Sequence, residues 1–290
     1  MTEPSRAEEP LSWYPATLKE EDWLLPVPDA SAGGALVGKI NAVLRQGTGF
    51  VVLRGLDLAG LTEEQCVERC AQVVGQVSAP VGLRLQRSAG ELLTAATAPA
   101  VPHSAGPGGP AAVHGDDQVL LPHMDRGEGQ EPPGLLALLC IRPASHGGES
   151  LLASGLALHD RLAVEQPEAL RALHRDHHFG RGPDFDRVRP VFRHEGRTLR
   201  VHYNRYWIRR GQEETGTPFG PEQLSALHAV ETLLQDPAVV MSLPLRRGDL
   251  LLVNNSAVLH GRKPFKDAGA PGTPRCYARI WAGREPAPVS

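Results

Sequence analysis

Three side chains define the chemistry to look for: His123 and Asp125 in the run Leu121-Pro122-His123-Met124-Asp125, and His260 in Leu259-His260-Gly261. Along an extended strand alternate side chains share a face, so His123 and Asp125 can address a single ion. An imidazole from a second strand would complete the set. Two neutral nitrogen donors and one carboxylate suit iron(II), and leave three coordination positions open for other molecules. A histidine and an aspartate one residue apart also arise by chance in a chain with 12 histidines, and a lone buried histidine is commonly a satisfied core residue. The pair therefore has to be weighed with its context.

Holding these groups together requires strands, and the sequence contains many short ones. GFVVLRGL, QVLLPHMD, GLLALLCIRP, ESLLASG, TLRVHYNRYWIRR, VVMSLPLR, DLLLVNNSAVLH and RCYARIWAG read as strands among Gly, Pro and Asn turns. GALVGKINAVLRQG has the period of an amphipathic helix ended by Gly47, and LTEEQCVERCAQVVGQV opens with a capping box, Thr62 followed by Gln65. ASGLALHDRLAVEQPEALRALH and GPEQLSALHAVETLLQDP read as two later helices. Short strands with a few helices to one side predict a mainly β (α+β) fold, a double-stranded β-helix or jelly-roll core with flanking helices. A single domain over 1–290 is expected, with 1–33 an irregular N-terminal arm and the Pro/Gly/Ala-rich stretch 99–117 a mobile loop. No internal repeat, GxGxxG or P-loop pattern is present.

Thirty basic residues against 33 acidic ones give a net charge of −3, and the basic residues are scattered, which argues against a nucleic-acid partner. No apolar run reaches the ~18 to 20 residues of a membrane span, and MTEPSRAEEP has neither a basic nor an apolar targeting region. A cytoplasmic location is the resulting expectation. Association into a homo-oligomer is compatible with the sequence. Cys66 and Cys70 lie at helical i,i+4 spacing and, like Cys140 and Cys276, read as core thiols.

Several motifs in order carry a family resemblance: GFVVLRGLDLAGLTEEQ, then LPHMD with PPGLLALLCIRPASHGGES, then RRGDLLLVNNSAVLHGR, then RCYAR. Together they resemble the taurine dioxygenase-like oxygenases, which include clavaminate synthase and γ-butyrobetaine hydroxylase, over most of the chain. The resemblance implies an iron(II)-dependent dioxygenase that consumes 2-oxoglutarate and O2, with His123, Asp125 and His260 as metal ligands. It places Ser150 where the family commonly has a threonine whose hydroxyl contacts 2-oxoglutarate; serine keeps the hydroxyl and loses the methyl. It places Arg275 where an arginine clamps the distal carboxylate of 2-oxoglutarate, with Arg279 four residues on in a supporting role. A guanidinium suits that task because it pairs with a carboxylate in bidentate fashion and stays charged. Arg275, Tyr277 and Arg279 would share one strand face, so which arginine clamps stays open.

For the prime substrate the candidates are Gln118, Arg126, Tyr203, Arg205 and Asn255, the last of which also fits a turn. Leu173-His174-Arg175-Asp176-His177-His178 is read as a polar strand edge or loop rather than a second metal site. The expected reaction is hydroxylation of an unactivated C–H bond of a small molecule, an amino acid or a natural-product intermediate, with release of succinate and CO2. Related halogenases have a small residue at the place of Asp125, so the carboxylate argues against halogenation. Desaturation, cyclisation and epoxidation use the same oxidant. Readings of another class are a non-catalytic jelly-roll binding or sensing protein and a zinc hydrolase on the same three ligands.

Overall fold

Alternation along the strand Leu250–Asn254 explains the layers of the molecule. Leu250 and Leu252 pack with Ile40, Leu44, Val74 and Val77 of two helices, whereas Leu251 and Val253 pack with Phe50, Leu136, Leu152 and Trp281 on the opposite side. The strand Cys276–Gly283 repeats this, with Ala278 and Ile280 toward the helices and Tyr277 and Trp281 inward. Strands covered on both faces must be apolar on both, which is why these runs lack polar alternation.

The computed structural model describes residues 11–27, 33–86, 91–94, 103–104, 111–112, 118–127, 131–181, 184–267 and 274–284. A seven-stranded sheet runs in the order Leu24–Pro26, Phe50–Arg54, Leu250–Asn254, Leu135–Arg142, Cys276–Gly283, Arg84–Leu85, with Glu91–Thr94 also paired to Cys276–Gly283. A four-stranded sheet runs Met241–Leu243, Ser150–Ser154, Val258–Arg262, Leu120–His123. Leu152, Leu243 and Val258 of the small sheet share a buried cluster with Phe50, Leu136, Leu251 and Trp281 of the large one, so the two sheets face each other across it. The chain passes from the large to the small sheet between Leu135–Arg142 and Ser150–Ser154, and again between Leu250–Asn254 and Val258–Arg262. This is the jelly-roll core with flanking helices that the sequence predicts. Helices Gly34–Gln46 and Glu63–Ser78 cover the large sheet. Gly155–Glu165, Pro167–Leu173, Arg205–Glu214 and Pro221–Leu233 cover the outer side of the small one.

The Thr62 cap is made in both directions: Gln65 N donates to Thr62 Oγ1 (3.3 Å) and Thr62 N donates to Gln65 Oε1 (2.9 Å). Such a cap stabilises a helix by about 1 kcal/mol. All four cysteines are buried and free, as core thiols should be.

Three expectations are corrected. TLRVHYNRYWIRR is not one strand: the strand Thr198–Val201 ends, and Asn204 caps the helix Arg205–Glu214 by accepting from Trp207 N (3.3 Å). Aromatic residues suit either element, and the cap decides. The helix expected across 153–174 breaks at Gln166, with Pro167 starting a second helix. DLLLVNNSAVLH is two strands joined at Asn255, the turn that moves the chain between sheets. Within the expected irregular arm, Leu24–Pro26 pairs in parallel with Phe50–Arg54, and Trp13 and Trp23 pack on Phe50; residues 1–10 and 28–32 lie outside the described residues. The 99–117 loop likewise lies outside them, apart from the pairing of His103–Ser104 with Ala111–Ala112.

Candidate active site

Strand register brings the predicted ligands together. His260 lies opposite His123 on one side and opposite Leu152 on the other. Leu152 points into the inter-sheet core, and cross-strand partners share a face, so both imidazoles point there as well. Their ring centroids are 4.8 Å apart. Gly261 makes the close approach feasible, because a Cβ there would stand 2.3 Å from the Leu120 carbonyl oxygen.

Asp125 lies just past the end of its strand, and other contacts hold it. Its N–H donates to Asn255 Oδ1 (3.0 Å), and Asn255 Nδ2 donates to the carbonyls of Asp125 and Pro133 (2.9 Å each). Met124 N donates to the Tyr203 carbonyl (2.8 Å). The carboxylate Oδ1 is then 3.4 Å from His123 Nε2 and 3.6 Å from His260 Nε2. Its other oxygen, Oδ2, accepts from Arg279 Nη1 (3.2 Å) and Trp281 Nε1 (3.0 Å). Burial alone would raise the Asp125 carboxyl, but the Arg279 charge and the two imidazoles hold it well below the usual carboxylate range. Burial pushes the His260 imidazole down, which keeps it neutral.

This donor set fits a metal ion. His123 Nδ1 is 2.9 Å from the Leu121 carbonyl, which can only accept, so in the neutral ring the proton sits on Nδ1 and Nε2 is bare. That lone pair faces Asp125 Oδ1, an arrangement that repels without a cation between them. One oxygen of Asp125 is occupied by Arg279 and Trp281, so the carboxylate offers the other as a single ligand atom. The three donor atoms all lie within 4.8 Å of one another, near enough to share an ion.

Arg275 stands four residues before Arg279, near one end of the same strand. It precedes the strand Cys276–Gly283, and its guanidinium stacks over Tyr277 (3.9 Å) and Phe265 (5.1 Å). Its Nε is buried without a hydrogen-bond partner, and Arg275 makes no ion pair among the described residues. Burial lowers its pKa. The nearest carboxylate, Asp267, accepts from the Arg275 backbone N–H (2.9 Å) and does not form an ion pair with its guanidinium. Gly148, at φ +75°, passes so close that a Cβ would lie 3.4 Å from Arg275 Nε and 3.1 Å from Phe265 Cβ. Ser150 follows two residues later, buried, on the strand that pairs with His260's. Arg275 and Arg279 thus do different things. Arg279 donates to the Asp125 carboxylate, whereas the Arg275 guanidinium stacks on Tyr277 and Phe265.

The substrate candidates separate. Arg126 is next to Asp125 at φ +55°, with its guanidinium 4.0 Å over the Trp281 ring, at the flank of the ligand cluster. Tyr203 is buried in the outer helical layer and Arg205 pairs with Glu231 (2.7 Å), so neither lines the pocket wall expected of them. Asn255 is the clamp on Asp125, and Gln118 is exposed before its strand. Trp281 went unnoticed in the sequence; its signal is the alternate spacing that puts it on the face of Arg279. A polar cavity of about 380 Å³ lies to one side, lined by Glu131, Glu195, Arg200, His202 and Arg284 among others, but not by His123, Asp125 or His260. Of the six-residue histidine stretch, His177 and His178 sit on the strand Asp176–Arg181, whereas His174 meets His159 and His194.

Two imidazoles from the small sheet of a jelly roll, with a carboxylate offering one oxygen beside them, form the donor set that mononuclear iron oxygenases use. The taurine catabolism dioxygenase TauD, TfdA family matches residues 17–281, and the chain belongs to it. It is an oxidoreductase dependent on iron(II) and 2-oxoglutarate, with O2 as co-substrate. FR-33289 synthase of Streptomyces rubellomurinus is 26% identical over 280 residues, covering 87% of this chain and 74% of that protein. Uridine-5'-phosphate dioxygenase of a Streptomyces species is 30% identical over 186 residues, covering 57% of this chain and 64% of that protein. Among solved structures, PvcB of Pseudomonas aeruginosa superposes with a TM-score of 0.58 at 17% identity, over 91% of this chain and 89% of that one. Asparagine oxygenase with Fe(II), 3-hydroxyasparagine and succinate superposes with a TM-score of 0.58 at 17% identity, over 80% and 73% of the two chains.

Proposed function

We propose that this protein hydroxylates an unactivated C–H bond of a small anionic molecule, an amino acid or a natural-product intermediate, turning one 2-oxoglutarate and one O2 into succinate, CO2 and the alcohol. The carrying observation is the Asp125 carboxylate, gripped on one oxygen by Arg279 and Trp281 and turned by the other toward His123 and His260. Iron(II) bound by these three side chains would supply the oxidising chemistry, coupled to decarboxylation of the keto acid. With Asp125 as the third protein ligand, the site would have no ligand position vacated for a halide, which favours hydroxylation over halogenation. Arg275 takes the distal carboxylate of 2-oxoglutarate, and the Ser150 hydroxyl donates to the same end. The rings of Tyr277 and Phe265 shield the guanidinium from water, which strengthens that pairing.

Arg126 supplies the charge for the prime substrate. Its left-handed backbone turns the guanidinium back over Trp281, so a cation stands against the residue that orients Asp125. One relative, named for uridine 5'-phosphate, is consistent with a phosphate-bearing partner. Anaerobic titration with iron(II) and 2-oxoglutarate should give the weak visible charge-transfer band of the chelate. Screening carboxylate- and phosphate-bearing substrates for succinate release should then yield a product heavier by one oxygen. Absence of the band in folded protein refutes the ligand assignment, and a product lighter by two hydrogens replaces hydroxylation with desaturation.

A further inference from the structure

On the outer side of the small sheet, away from the proposed iron ligands, His159, His174 and His194 come together from three elements. His159 lies on the helix Gly155–Glu165, His174 ends the helix Pro167–Leu173, and His194 lies on Phe192–Glu195, one strand of a hairpin with Thr198–Val201. Each offers a ring nitrogen within 4.8 Å of the others, and Nε2 of His159 is 3.3 Å from Nε2 of His174. We propose that these three histidines form a second metal site, which takes a divalent transition cation of zinc type, with water completing the coordination.

Spacing is the first argument. Two imidazoles on a tetrahedral zinc ion, with bonds of about 2.0–2.1 Å, place their nitrogens roughly 3.4 Å apart. The His159–His174 pair already has that separation. The second argument is where the protons sit. Asp160 Oδ1 lies 3.6 Å from His159 Nδ1, a buried atom with no hydrogen-bond partner, and a carboxylate there favours the proton on Nδ1. Nε2 is then the lone-pair atom, aimed at the nitrogen of its neighbour. A carboxylate behind a ligand imidazole is also the arrangement that fixes its tautomer and raises its donor strength.

Two nitrogens facing at this distance need a proton or a cation between them. A neutral pair can supply the proton itself, one ring N–H donating to the other ring's lone pair, and a divalent cation competes with that hydrogen bond for the same two nitrogens. Neutral imidazole is the form that binds metal. His194 is exposed, so an ion can enter from solvent. Three neutral donors leave the ion its full charge, unlike the proposed iron site with its carboxylate. A cation here would fasten the Phe192–Val201 hairpin to the helix that follows the strand Ser150–Ser154.

The proposed iron ligands also bind divalent ions, so the test begins from the His123→Ala, His260→Ala double variant, titrated with zinc(II) and with cobalt(II). One equivalent should bind, cobalt should show the visible bands of tetrahedral nitrogen coordination, and zinc should raise the Tm. Adding His194→Ala, an exposed position whose loss spares the core, should weaken zinc binding by about tenfold or more and remove the Tm rise. In the parent, two bound equivalents should fall to one with His194→Ala, which keeps the test valid if the double variant does not fold. The proposal is overturned if zinc does not bind the double variant, or if His194→Ala leaves uptake and Tm unchanged; His159 and His174 would then be a pair sharing a proton.

Discussion

The two histidine groups of this molecule differ in what surrounds them. His123 and His260 stand in register on adjacent strands between two sheets, and the carboxylate beside them is itself held by Arg279, Trp281 and Asn255. His159, His174 and His194 stand on helices and a hairpin outside the small sheet, with one carboxylate behind them and none among the ligand atoms. A carboxylate ligand lowers the charge of the bound ion, and burial between sheets lets the surrounding protein set the positions left open. The outer group has neither feature. Imidazoles alone can make a metal site, and a fixed carboxylate beside two of them is what sets the inner group apart.

The largest effect expected from this difference is that of His123→Ala, which should abolish succinate release and the visible iron–2-oxoglutarate band, whereas His194→Ala should cost the outer zinc equivalent instead. Equal losses in the two variants would erase the distinction. Arg275→Ala should raise the 2-oxoglutarate KM by about tenfold to a hundredfold, the worth of a charge-assisted contact, with the visible chelate band recovered at high 2-oxoglutarate. An unchanged KM would move the anion site elsewhere. Trp281→Phe removes one donor to Asp125 Oδ2 and should weaken iron affinity about tenfold, with the fold retained by circular dichroism. No change in iron affinity would leave Arg279 as the sufficient grip.

An effect of another kind, of pH on stability, arises in the outer region. His202 is buried beside Arg189, and burial first, then that charge, lowers its pKa to about 4. The folded protein therefore binds this proton less readily than the unfolded chain, whose histidine titrates near 6.5. Stability from this group is complete above pH 6.5 and falls as pH drops from 6.5 toward 4, by up to about 3 kcal/mol. Urea unfolding at pH 7.5 and pH 5 should show the decline in the parent and less of it in His202→Asn. A decline of the same size in both proteins would assign the effect to other groups.

The local chemistry was legible in the sequence. Thr62 and Gln65 announce their cap, Gly47 ends its helix, and the spacing of Leu250 to Val253 shows a strand buried on both faces. Ordered motifs, each weak alone, identified the oxygenase class and the His123, Asp125 and His260 set. Periodicity failed where one stretch suits two elements, as at His202 to Arg210, because a cap formed by Asn204 decided between them.

Only tertiary structure separated the arginines. Arg275 and Arg279 are equivalent in sequence, on alternate positions of one run. Packing puts Arg279 on Asp125 and Arg275 among the rings of Tyr277 and Phe265. Asn255 likewise reads as a turn residue, yet its side chain closes the backbone around Asp125. The outer histidines lie on separate elements that meet only in the fold. Sequence determines which groups a segment carries and which face they share, since those follow from the strand and helix repeats. Which distant groups meet depends on register and on how the layers pack, which are properties of the whole chain.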